Sequence, residues 1–124
     1  MKSSRVFLSV LAILLCSSAA VADPPTSINV DYKVDFHVLM ITVNHPTDDP
    51  SEHYIEKVTV AMNGRLVYSK DFNTQTNYQS LAVPVIDSIM AKPGDVLIIS
   101  AFCNKGGGAL TVQYIVPNNA QYQG

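Results

Sequence analysis

The 124-residue chain has no tryptophan, only two cysteines, three histidines and no largely apolar run longer than the ten residues from Val6 to Leu15. Each scarcity excludes something. A ten-residue run falls well short of the roughly 20 residues a helix needs to cross a bilayer. The charge balance of eight Lys and Arg against ten Asp and Glu gives no cationic excess. Nucleic acid and anionic membrane surfaces are therefore excluded as partners. With Cys16 directly after the N-terminal apolar run, Cys103 is the only cysteine left to the body of the chain, and one cysteine makes no internal disulfide. Carboxylate pairs at catalytic spacing and convincing helical periods are also missing.

What is present begins with the amino terminus. Lys2 and Arg5 precede Val6 to Leu15, and Ala20-Val21-Ala22 supplies small residues at a cleavage site. This is the pattern of a secretory signal peptide over residues 1–22, which predicts a secreted or periplasmic protein with no membrane anchor. Leu15 stands before Cys16 where a bacterial lipobox needs a small residue, which argues against lipidation. Residues 23–124 carry six Lys and Arg against ten Asp and Glu. About a hundred residues make one domain with a modest core.

Turn chemistry cuts this region into segments of strand length. Ile28 to Lys33 and Val38 to Val43 are rich in β-branched and aromatic residues. Tyr54 to Met62 and Leu66 to Lys70 flank Asn63-Gly64, the dipeptide of a type I′ hairpin. Asp71 to Asn77 reads as a loop, and Tyr78 to Val85 as a strand that Pro84 confines to an edge or an end. Ile86 to Ala91 reads as a helical turn and Lys92 to Asp95 as a tight turn. Val96 to Phe102, nearly all apolar, predicts a central strand covered on both faces. Gly106 to Gly108 separates it from a last strand over Leu110 to Val116, and the tail from Pro117 is polar. Seven short strands predict an all-β, immunoglobulin-like antiparallel sandwich.

That fold sorts the residues capable of chemistry. His45 closes the second strand, His53 opens the third and Cys103 closes the sixth, so all three belong at one end. His37 lies eight residues before His45, on the order of 25 Å away along an extended strand, and falls outside this group. Two imidazoles and a thiolate suit iron, zinc or copper and leave positions open for water or a substrate. The same residues also read as a loop-shaping histidine, a polar strand start and a small core thiol, with no metal at all. Asp48, Asp49, Glu52 and Glu56 are near enough in sequence to supply an oxygen ligand or a proton relay, or simply to be solvated charges.

The order His45-Pro46, then His53-Tyr54-Ile55-Glu56, then Asn63-Gly64, then Phe102-Cys103-Asn104-Lys105-Gly106-Gly107 resembles the HPM, HYIEWIEL and YCNxHG motifs of the desulfoferrodoxin and superoxide reductase (neelaredoxin-like) family, from about Ile41 to Gly107. In that family a sandwich holds ferrous non-heme iron with four histidines in a plane and one axial cysteine, and the sixth position receives superoxide. The resemblance implies His45 and His53 as equatorial ligands, Cys103 as the axial ligand, and superoxide or another small oxidant as substrate, with electrons from a donor the sequence does not specify. The chain departs from the family in three places. Gly106 stands where the last histidine belongs, the N-terminal EKHVP-type segment has no match, and the interval from His45 to His53 is about two residues longer around Asp49-Pro50-Ser51. Other functions stay open beside this one: a binding or sulfur-carrier module using a free Cys103, an adhesion-like sandwich with an inert thiol, and a homo-oligomer.

Overall fold

The computed structural model describes residues 24–106 and 108–118; the signal-peptide reading and the end of the tail lie outside them. The described residues contain seven strands and no helix: β1 (Ser27–Lys33), β2 (Val38–Asn44), β3 (Ile55–Met62), β4 (Arg65–Asp71), β5 (Ser80–Ile86), β6 (Val96–Cys103) and β7 (Ala109–Ile115). They form two antiparallel sheets, one ordered β1-β2-β5 and the other β4-β3-β6-β7. This is the sandwich the turn spacing predicts. β4 stays hydrogen-bonded to β3, whereas an immunoglobulin constant-type arrangement would place the fourth strand beside β5.

Alternation decides which side chains meet between the sheets, because successive residues of a strand face opposite ways. Leu39, Ile41 and Val43 of β2, Leu81, Val83 and Val85 of β5, and Leu97, Ile99 and Ala101 of β6 are all buried. Their intervening neighbours are half-buried or exposed. In β3 the pattern slips, with Ile55 buried, Glu56 and Lys57 exposed, and Val58 and Val60 buried. A register shift against β6 between Ile55 and Lys57 accounts for this, since a bulge adds one residue and restores Ile55 to the core.

The turns follow their local chemistry. Asn63 and Gly64 both have positive φ, 51° and 86°, as a type I′ connection requires, and Met62 pairs directly with Arg65. Pro84 sits on β5, an edge strand, where its missing N–H breaks no ladder on the open side.

Two expectations need correction. Ile86 to Ala91 form no helical turn: Ile86 still belongs to β5, Asp87 takes a left-handed φ of 58°, which ends any regular helix, and Ile89 and Ala91 instead plug the end of the core. There Tyr32, fully buried, donates its hydroxyl to the Ile89 carbonyl at 2.8 Å and accepts from the Ala91 N–H at 3.0 Å. β6 is central as expected, yet only its inner face is buried, and Val96, Ile98, Ser100 and Phe102 on the outer face are half-exposed.

Candidate metal centre

His45, His53 and Cys103 meet at one end of the sandwich, their ligand atoms all within 4.8 Å of one another. Strand parity puts two of them there. His45 continues the inward series Leu39, Ile41, Val43 one residue past the end of β2, and Cys103 completes the series Leu97, Ile99, Ala101 on β6. They come from opposite sheets and close the core with polar atoms. His45 is fully buried and Cys103 is 2% exposed.

His53 arrives by a loop, because β3 begins only at Ile55. The Asp49 carbonyl accepts from the N–H groups of Glu52 and His53 at 3.1 and 2.9 Å, which coils residues 49–53 into a turn. The Asp49 carboxylate accepts from the hydroxyl and the N–H of Ser51, and these bonds lower its pKa below the usual carboxylate value. Asn104 then ties this loop to the end of β6. Its side chain accepts from the Tyr54 N–H at 2.9 Å and donates to the Glu52 carbonyl at 3.0 Å, and its own N–H reaches the Tyr54 carbonyl at 3.0 Å. With both neighbours of His53 fixed, His53 Nε2 stands 3.1 Å from Cys103 Sγ. The sulfur also accepts from the Lys105 N–H at 3.3 Å. The rings of His45 and His53 meet edge to face, 4.9 Å between centroids.

A transition ion with bonds of about 2.0–2.1 Å to nitrogen and about 2.3 Å to sulfur keeps its donors roughly 3.3–3.8 Å apart. The three donors therefore stand within about an ångström of a common coordination sphere. The residues fit a three-ligand transition-metal site. They do not fit the five-ligand iron site of superoxide reductases, since Gly106 occupies an exposed turn at φ 67° with no side chain to offer.

None of the four carboxylates joins the cluster among the described residues. Asp48, Asp49, Glu52 and Glu56 are all exposed. Asp48 lines a shallow cleft with Pro46, Thr47, Tyr78, Gln79 and His53, which makes His53 the ligand nearest to solvent. His37 lies at the far end as expected. It is half-buried in the β1–β2 turn with Nδ1 3.3 Å from the Tyr32 hydroxyl, so it is a partner of the opposite core plug, not a solvated hairpin residue.

Two residues that shape the site carry no obvious signal in the sequence. Gln75 is buried beneath His45, and Asn104 clamps the His53 loop. Topology held the only clue to Gln75, because the β4–β5 loop leaves the sandwich at the same end as the β2–β3 loop. No protein-family model matches the chain, and no curated protein matches it in sequence.

Proposed function

We propose that this chain is an exported, superoxide reductase-like protein that holds a transition metal, non-heme iron above zinc or copper, through His45, His53 and Cys103. The observation carrying this reading is the convergence of two imidazoles and a buried thiol at one end of the sandwich. Iron is preferred because the flanking residues, His45-Pro46, His53-Tyr54-Ile55-Glu56 and Cys103-Asn104, resemble the superoxide reductase motifs in order and kind.

A ferrous ion held by His45, His53 and Cys103 would supply one electron to superoxide, which with two protons would leave as hydrogen peroxide. The protein's part is to gather the donors, to shield the sulfur, and to keep one side accessible. His45 and Cys103 are sealed in the core, and half-buried His53 borders the cleft through which a small oxidant would approach. Three protein ligands hold ferrous iron less firmly than five, so turnover is expected to be slow. A sulfur-carrier role is disfavoured by the same burial, because a carrier thiol must be reached by its partner and Cys103 is 2% exposed.

Metal analysis of protein purified without chelator tests the proposal. Stoichiometric iron with a thiolate-to-ferric absorption band supports it. Metal-free protein that takes up no iron, zinc or copper on reconstitution overturns it.

A further inference from the structure

Gln75 reaches into the core from the loop between β4 and β5 and makes four hydrogen bonds with its amide. Its Oε1 accepts from the Ile55 N–H at 3.1 Å and contacts His45 Nδ1 at 2.5 Å. Its Nε2 donates to the His45 carbonyl at 2.9 Å and to the Asn77 carbonyl at 3.3 Å. The backbone groups leave no choice about which end of the amide is which: an N–H can only donate and a carbonyl can only accept. The amide oxygen must therefore face Ile55 and His45 Nδ1, and an oxygen accepts. His45 Nδ1 is thus the protonated nitrogen of the ring.

A neutral imidazole carries one N–H, so protonation at Nδ1 puts the lone pair on Nε2. We infer that Gln75 is a positioning residue for the metal centre, holding His45 in the Nδ1–H tautomer and a fixed ring orientation so that Nε2 is prepared to ligate. This rests on the metal-site reading above. The Nε2–H tautomer is the commoner one for a free histidine side chain, so the buried amide sets the tautomer against the intrinsic preference. The arrangement also links three segments, since Gln75 binds the end of β2 and the start of β3, and its own N–H reaches the Pro50 carbonyl in the His53 loop at 3.2 Å. One residue thereby sets His45 through its side-chain amide and braces the loop that delivers His53 through its backbone N–H.

The test uses the metal-free full chain labelled with 15N-histidine, then zinc titration of the same samples, with Gln75→Met removing the amide and Gln75→Glu keeping an acceptor. In the wild type, 15N shifts and couplings are expected to show His45 protonated at Nδ1. In Gln75→Met the Nε2–H form is expected to appear and zinc affinity to fall about 10- to 100-fold, the usual cost of losing an outer partner of a ligating histidine. Gln75→Glu is expected to retain the Nδ1–H signal. A wild-type spectrum showing His45 protonated at Nε2 overturns the inference even if zinc binds, and it decides the matter without any variant should Gln75→Met not fold. An unchanged zinc affinity in folded Gln75→Met overturns it as well. A wild type with the Nδ1–H signal and no affinity for zinc, iron or copper instead removes the metal-site reading, and the positioning role with it.

Discussion

Cys103→Ser separates the architecture of the site from its chemistry. In the metal-free protein Sγ accepts from the Lys105 N–H and faces His53 Nε2, and a serine hydroxyl can take both roles at nearly the same place. The exchange should therefore shift metal-free stability by only about 1 kcal/mol. Metal binding responds differently, because serine gives no thiolate at neutral pH. A metal present at about a hundredfold above Kd stabilises the wild type by about 2.7 kcal/mol. For a domain of this size 1 kcal/mol moves Tm by roughly 4–8 °C, so the metal-induced rise is on the order of 10–20 °C. If the variant binds about a hundredfold more weakly, the same metal concentration adds only about 0.4 kcal/mol, a rise of about 2–3 °C. Thermal melts followed by circular dichroism, with and without metal, read both quantities in a chain that has no tryptophan to report fluorescence. An equal metal-induced rise in wild type and variant would refute the assignment of Cys103 as a ligand.

Three further outcomes are expected. Gly106→His should cost about 1 kcal/mol of stability, because φ 67° is left-handed backbone that favours glycine, and it should still tighten iron binding about tenfold, ~1.4 kcal/mol; equal affinity in calorimetric titration would mean that the cysteine loop does not face the metal. Tyr32→Phe strips the hydroxyl from the buried Ile89 carbonyl and Ala91 N–H, and urea unfolding should show a loss of about 2–4 kcal/mol, with no loss of metal affinity because the plug is at the opposite end. Asp95, whose pKa is drawn down to about 2 by the Lys92 N–H, then the Asn63 side chain and the Lys92 ammonium, lends stability that is complete above its unfolded-state pKa and is lost as pH falls through the folded value; Asp95→Asn should remove that acid dependence between about pH 4 and pH 2, and an unchanged acid limb would count against the assignment.

The fold was legible because its signals are local and mutually consistent. Asn63-Gly64 permits one tight hairpin, Pro84 demands an edge or a strand end, and turn residues cut the rest into strand lengths, whereas the one-sided burial of β6 is hidden in the sequence because its outer face is also largely apolar. The three site residues were legible from loop topology, which puts the end of the second strand, the start of the third and the end of the sixth together; the inward parity of His45 and Cys103 emerges from the structure. The helical turn expected over Ile86 to Ala91 had no periodic signal behind it; Asp87 turns the chain left-handed, and the Tyr32 hydroxyl instead satisfies the Ile89 carbonyl and the Ala91 N–H. Tyr78 looked like a strand residue for its β propensity, yet it lies exposed before β5, its carbonyl serving the Thr47 N–H. Gln75 was illegible for a deeper reason. A glutamine in a polar loop has no periodicity, and its burial follows from which loops share an end of the sandwich, a property of topology.

The central claim, that His45, His53 and Cys103 are ligands of one metal, is tested most directly by X-ray absorption fine structure on the metal-loaded wild type. One sulfur at about 2.3 Å and imidazole nitrogens at about 2.0–2.1 Å, or slightly longer for ferrous iron, are expected, with the sulfur shell missing in Cys103→Ser. A first shell of oxygen and nitrogen alone, with no sulfur in the wild type, would contradict it.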